Sequence, residues 1–353
     1  MTPGPALLTR RRFLHTAAAG AAALGLAACA KDTGSAGAAP ATGPLPTSVP
    51  PGTKLAIASG LGAQQLALEL SGLDRGLPFT VTSWPNISAG PDVINAFRAK
   101  ALDVGNNAGI PPIQAHYQGF GAKIVAVDLT RKPTYLFATR PGSDIRTVDD
   151  FAGHKPAFSQ GQAQGVVLLR ALAEAGIATK DVKLVPLTSN QFLTALQARQ
   201  VDVAPLYLSQ APPYFDQYGR DGARQIDTDV VDLLNILWAP TSVLADDAKA
   251  AAVAAFVPVW AKGLVWVYEH PDEWIEKFYV GTQNLDAAAA RKIVALSNKP
   301  LLPPSWDEAV AWEQETVGLL AKGGYVRSFD AEALFDRRFE SLAAGAVPAG
   351  YRS

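Results

Sequence analysis

The sequence predicts an α/β protein: two tandem blocks of mixed strands and helices, followed by a region that is almost all helix. Three observations carry this. From Lys54 short apolar runs alternate with amphipathic segments, the same alternation restarts near Pro141, and after Leu237 the apolar spacing becomes helical.

In the first block 54–58 reads as a strand, 64–73 as a helix, 79–84 as a strand and 92–100 as a helix. A short strand at 101–104, a helix from about 112 to 117 and a strand at 123–127 complete it. Such βαβ alternation predicts an open, mostly parallel sheet. The second block reads as a short helix at 147–151, a strand at 155–158, a helix at 163–175, a strand at 182–186 and a helix at 190–198. A strand at 201–204, a helix at 209–218 and a strand at 223–226 close it. Across 246–343, Asp286, Ser305 and Asp330 suit helix N-caps, and Pro271 and Pro304 punctuate the pattern. The tryptophans there (Trp260, Trp266, Trp274, Trp306 and Trp312) read as helix-packing residues rather than a ligand box.

Ahead of the blocks stands a segment with the layout of an export signal. Thr9-Arg10-Arg11-Arg12-Phe13-Leu14 precedes an Ala-rich apolar run too short to span a bilayer, ending in Leu26-Ala27-Ala28-Cys29. The arginines resemble a twin-arginine signal and the end resembles a lipobox, so 1–28 is expected to be removed and Cys29 to carry a lipid. Residues 29–52, rich in Ala, Gly, Pro, Ser and Thr, read as a flexible tether. Removing the signal takes the net charge from −1 to about −4, which points away from nucleic acid. With Cys29 assigned to lipid, no cysteine remains for a disulfide, a thiol nucleophile or a metal site. His116, His154 and His270 show no ligand-like spacing, so no metal and no cofactor are expected.

In open α/β sheets ligands sit beyond the carboxyl ends of strands, against helix N-termini. The strand-to-helix junctions are therefore the candidate site: Ser59-Gly60-Leu61-Gly62, Trp84 to Asp92 with Ser88 and Gly90, Gly105 to Pro112 with Asn106 and Asn107, Ser159-Gln160-Gly161-Gln162-Ala163, and Leu206-Tyr207-Leu208-Ser209. All five offer hydroxyls, amides and backbone N–H groups without a charge. Neutral donors aimed by helix dipoles suit an oxyanion. No GxSxG elbow, HExxH or dinucleotide fingerprint is present, which favours binding over turnover.

The stretch WPNISAGPDVINAFRAKALDVGNNAGIPPIQA, from Trp84 to Ala115, is similar to one in aliphatic-sulfonate, nitrate and taurine solute-binding proteins of ABC importers. Asp150-Phe151-Ala152-Gly153-His154-Lys155, with Ala171 to Ile177 and Asp181-Val182, resembles the second lobe of that family. The resemblance implies a two-lobed type II periplasmic binding protein fold, with mixed sheets flanked by helices and the helical C-terminal region packed on lobe 1. Lobe 1 would combine 54–140 with 236–353, and lobe 2 would be 141–235. It also implies an exported, lipid-anchored monomer that is not an enzyme, with a small-molecule solute and ABC permease subunits as partners. Site residues would be Ser59, Gly60, Trp84, Ser88, Gly90, Asn106 and Asn107 from lobe 1, and Ser159, Gln160, Gln162 and Tyr207 from lobe 2. Tyr207, with Trp84 or Trp238, would pack on an organic tail.

The chain departs from the family pattern at three places. Ala108-Gly109 stands where an acidic residue is common, removing the partner of a taurine ammonium. Gln160 to Gly165 replaces a lysine-bearing loop, and Asp202 to Ser209 lacks two tryptophans. A small organic anion such as an alkanesulfonate remains the leading ligand class. A neutral heteroaromatic, pyrimidine-like precursor is the alternative binding class, and a desulfinase-like enzyme is a third reading that would need a cysteine in the cleft.

Overall fold

A computed structural model describes residues 43–352. The expected signal at 1–28, Cys29 and the first part of the tether lie outside the described residues. Where the tether is described it is docked rather than free, because Leu45 and Val49 pack against the core and the Gly43 carbonyl accepts from Arg338 at 3.4 Å.

The first sheet begins with β1 (Lys54–Ala56), α1 (Ala63–Ser71), β2 (Thr80–Ser83) and α2 (Gly90–Arg98). It continues through β3 (Gly105–Ala108), α3 (Ile110–Tyr117) and β4 (Ala122–Leu129). The second sheet takes β5 (Tyr135–Thr139), β6 (Ala157–Phe158), α4 (Ala163–Glu174), β7 (Val185–Pro186) and α5 (Phe192–Gln197). It ends with β8 (Val203–Tyr207), α6 (Ala211–Tyr218) and β9 (Gln225–Ile226). The chain then returns to the first sheet as β10 (Leu234–Pro240). The helical region follows as α7 (Thr241–Leu244), α8 (Asp247–Glu269), α9 (Pro271–Trp274), α10 (Ala287–Ala295), α11 (Asp307–Lys322) and α12 (Leu342–Gly345), with a π-helical turn Ile275–Val280 after α9.

Both halves share one plan. β2 pairs with β1, a bridge from Ile57 to Val104 leads to β3, and β3, β10 and β4 lie side by side. In the other half β7 pairs with β6, a bridge from Pro156 to Val203 leads to β8, and β8, β5 and β9 follow. The expectation of a mostly parallel sheet is corrected: β10 runs antiparallel to both β3 and β4, and β5 antiparallel to both β8 and β9. β10 and β5 enter by direct crossings between halves, not through a helical crossover, so nothing forces them parallel. The sheets are mixed and flanked by helices, as the family resemblance implies.

Three positions differ from the sequence reading. Tyr135–Thr139, placed there in the first lobe (54–140), pairs in the second sheet. The Pro141-Gly142 turn ends this strand and does not mark the crossing, which lies at 130–134. β10 falls where the pattern was taken to be turning helical. β3 lies at Gly105–Ala108 rather than 101–104, because Lys100 adopts a left-handed φ of 55° and the Asp103 carboxylate accepts the Ala56 N–H at 2.8 Å, so the chain turns there first. Two asparagines in a four-residue strand hide it from an apolar count.

α8 starts where the Asp246 carboxylate accepts the Lys249 N–H at 3.0 Å, and it buries Phe256, Val257, Trp260 and Ala261. It packs against α1 and α12, so the helical region covers the first sheet. α11 also reaches α4 of the second half, where the Arg170 guanidinium lies 3.8 Å over the Trp312 ring and donates to the Thr316 hydroxyl at 2.8 Å. Asp286 and Asp330 cap as expected, while Ser305 accepts the Asp307 N–H at 3.3 Å from one position outside the cap.

Candidate functional site

A cleft of about 490 Å³ opens between the two sheets, at the carboxyl ends of their strands. Gly60, Ser88, Gly90, Asn106 and Asn107 line it from the first half, and Gln162 and Tyr207 from the second. These seven of the eleven expected ligand residues come together. Gly90 is there because nothing larger fits: a Cβ would stand 2.5 Å from Pro111 Cγ and 3.1 Å from the Gly161 carbonyl, so the halves touch at this point. Gly161, in turn, holds a left-handed φ of 82°, and a Cβ on it would stand 2.8 Å from Gln114 Cγ.

The other four lie elsewhere. The Ser59 hydroxyl accepts the Gln65 N–H at 3.0 Å and so caps α1 from inside the core. Trp84 packs beside Phe256 with ring centroids 6.4 Å apart, and the buried Ser159 hydroxyl has no partner and no place in the lining. Gln160 is exposed and donates to the Tyr325 carbonyl at 3.4 Å. Trp238, a candidate for the tail, is wholly buried: its indole N–H donates to Asn107 Oδ1 at 2.9 Å and its ring meets Phe97 edge-on. Ser59, Trp84, Ser159 and Gln160 thus occupy the expected junctions but stay out of the cleft lining, and Trp238 lies inside β10.

The amides in the cleft are largely committed to one another. Asn106 Nδ2 donates to Asn235 Oδ1 (3.0 Å) and the Ile236 carbonyl (2.9 Å), and Asn107 Nδ2 donates to the Ser88 carbonyl at 2.8 Å. Gln162 donates to the Ser189 hydroxyl at 2.8 Å and accepts the Ser189 N–H at 2.9 Å. They therefore fix the shape of the cleft, and the donors facing its interior come from helix starts. Ala63 and Gln64 of α1, Ala89 and Gly90 of α2, and Ala163 and Gln164 of α4 line it. No side chain caps α2 or α4, which leaves the Gly90 N–H of α2 and the Ala163 and Gln164 N–H groups of α4 for an occupant, since Pro91 has no N–H and the Asp92 and Gly165 N–H groups donate to the Ala89 and Gln162 carbonyls.

Ser209, from the fifth junction, also lines the cleft, and residues that the sequence did not suggest complete the lining: Thr130, Thr134, Tyr135, Ser189, Asp232 and Asn235 among them. Thr130 and Asp232 belong to the two crossings between the halves. The Thr130 hydroxyl donates to the Asp232 carbonyl, and the Thr130 N–H donates to the Leu233 carbonyl at 2.7 Å, so the crossings are tied to each other. Tyr207 leaves 45% of its surface exposed and stands over Tyr135, ring centroids 4.6 Å apart. No lysine, arginine, histidine or cysteine lines the cleft among the described residues, and no group of three metal-ligating side chains occurs among them.

Two carboxyls set the electrostatics. Asp232 is 8% exposed, and burial pushes its pKa up to about 7 against the opposing pull of Arg170. Glu313 of α11 is fully buried with neither carboxyl oxygen hydrogen-bonded, and burial, with Asp232 nearby, pushes it up to about 8 despite Arg170. A Cβ at Gly109 would fall 1.6 Å from Glu313 Oε1. Glu313 of α11 thus fills the very space a side chain at 109 would take, without joining the lining of the cleft. Nothing in the local motif signals this, because Glu313 lies some 200 residues away.

Comparison with known proteins gives a consistent picture. The family description NMT1/THI5 like matches residues 87–274, more than half of the chain. A protein of Escherichia coli (strain K12), provisionally named an aliphatic sulfonates-binding protein, is 30% identical over 161 residues, 46% of this chain and 49% of that protein. The match thus spans about half the length of that curated relative. Among solved structures, the periplasmic aliphatic sulphonate binding protein SsuA from Escherichia coli aligns with a TM-score of 0.65 at 23% identity, over 80% of this chain and 92% of its own. The alkanesulfonate-binding protein SsuA from Xanthomonas axonopodis pv. citri, bound to MOPS, aligns with a TM-score of 0.67 at 20% identity, over 85% and 99%. These structures share the two-lobed periplasmic binding protein fold with this chain.

Proposed function

Because the chain belongs to the NMT1/THI5-like family, we propose that it is the extracytoplasmic solute-binding component of an ABC importer. It takes a small organic anion of the aliphatic-sulfonate type between its lobes and hands it to permease subunits. The observation that carries this is the convergence of uncapped helix starts from both halves on one cleft without a cationic side chain. Such a site holds an oxyanion by backbone N–H groups and hydroxyls, and releases it when the lobes part, since neither half alone completes the set. The sulfonate class is supported by the names of the similar proteins.

Binding rather than turnover fits the lining. The one cysteine of the chain is Cys29, and no base stands beside a nucleophile in the cleft among the described residues. Titration calorimetry with ethanesulfonate, taurine, nitrate and a neutral sulfone of equal size tests the assignment. Ethanesulfonate is expected to bind and the sulfone not; heat from the sulfone alone, or from none of them, defeats the sulfonate reading.

The same role places the chain at a membrane surface as a monomer, tethered through lipid on Cys29 after twin-arginine-type export. Incorporation of labelled fatty acid that is lost in Cys29→Ala is the expected result. Equal labelling of the variant would remove the anchor from the reading.

A further inference from the structure

A second cavity adjoins the cleft. It measures about 530 Å³ and lies inside the first lobe, between α1, α8 and the segment running from α9 to α10. Its walls are mostly apolar, with Ala67, Trp260, Gly263, Val267 and Trp274 facing it. The two cavities have a common wall: Ala63, Gln64 and Asn106 line both. At that wall both amide atoms of Gln64 are buried without a hydrogen-bond partner. A buried amide with nothing to bond is costly unless an occupant supplies the partner.

Resting on the reading of the cleft as an organic-anion site, we propose that this chamber holds the tail of the solute. The solute is thus an amphiphilic sulfonate with an aromatic or comparably bulky apolar group. Its head takes the helix starts in the cleft, Gln64 bonds a polar atom at the neck, and the tail lies against Trp260 and Trp274. Three features support this occupant over water or a separate ligand. The chamber volume is in the range of organic-ligand sites, and its aromatic walls suit a ring. Gly263 keeps the wall open, since a Cβ there would come 3.0 Å from Leu68 Cδ2 and narrow the space between α8 and α1. The far wall carries the π-helical turn Ile275–Val280, a geometry that recurs at functional sites.

The test compares ethanesulfonate with naphthalene-2-sulfonate by calorimetry on the purified protein and on Val267→Trp, whose new ring fills the chamber. The naphthyl compound is expected to bind roughly tenfold or more tighter than ethanesulfonate, and Val267→Trp to abolish that difference while leaving ethanesulfonate unchanged. Equal affinities in the wild type, or a difference that survives the substitution, overturns the proposal. A crystal of the wild-type protein with 6-bromonaphthalene-2-sulfonate gives a reading that needs no variant. Bromine beside Trp260 and Trp274 supports the chamber; bromine in the cleft, or at neither place, rejects it. Should ethanesulfonate fail to bind, the cleft reading falls by itself, and the bromine position still decides the chamber.

Discussion

At the residue scale, Asp232 puts an acid in the wall of the proposed anion site. Burial holds its pKa near 7, so near neutral pH it is partly protonated and able to donate. The charged and titratable groups around it are Arg170 of α4, Glu313 of α11 and the hydroxyls of Tyr135 and Tyr207. An anion beside Asp232 favours its protonated form. Affinity is therefore expected to be highest below pH 7 and to fall as pH rises through 7. Asp232→Asn should flatten that dependence and raise affinity at pH 8 by about tenfold, as expected where a like charge beside the anion is removed. Calorimetry at pH 6 and pH 8 on both proteins checks it; a steeper pH dependence in the variant would mean that another group titrates.

At the element scale the starts of α2 and α4 are the core of the proposed site, and a charge placed at one of them should act on stability and binding in opposite directions. Ala89 is the N-cap of α2, with extended φ and ψ of −74° and 127° and no side-chain cap. Ala89→Asp supplies a cap, worth about 1 kcal/mol. The same carboxylate lies on the cleft wall and repels an anion. Melting temperature is expected to rise by a few degrees while sulfonate affinity drops at least about tenfold. Loss of both would assign Ala89 a packing role only.

This opposition also explains what was legible in the sequence. Gly60, Ser88 and Gly90 could be found because a turn needs small residues where a strand feeds a helix. Trp84 and Ser159 stand at the expected junctions but outside the lining, because spacing gives the junction and not the direction of a side chain. Asp232 and Glu313 were illegible, since their partners lie far off in sequence and only packing sets Asp232 in the cleft wall and Glu313 against Gly109. The strand pattern located the outer strands of both sheets, while the antiparallel strands β5 and β10 were not read, Tyr135–Thr139 lying at the crossing between the blocks and Leu234–Pro240 adjoining the helical region.

At the scale of the molecule, Arg170 links the two halves away from the cleft lining. Arg170→Ala should remove its stacking on Trp312 and its bond to Thr316, favouring the open arrangement. Affinity is expected to fall about tenfold, with a larger radius of gyration in solution scattering. An unchanged radius would separate Arg170 from closure. Buried Asp128, with a pKa of about 7, joins Asp232 and Glu313 in shaping the pH dependence of folding. Each pKa is raised on folding, so the stabilisation is complete below about pH 4 and is lost as pH rises through 7 to 8, with a slope of up to about 1.4 kcal/mol per pH unit for each carboxyl. Urea midpoints should therefore fall from pH 5 to pH 8, and Glu313→Gln should reduce that fall.

The middle strand of the first sheet, β10, pairs on both sides with strands made more than 100 residues earlier, and the chain end returns to the same lobe where Leu302 N–H donates to the Tyr351 carbonyl at 2.7 Å. The second sheet, by contrast, is one unbroken stretch of chain. During synthesis it can close on itself as soon as β9 emerges, while β1 to β4 wait with an empty lane between β3 and β4. The lobe that begins first is completed only after the second sheet has been made, when β10 fills that lane.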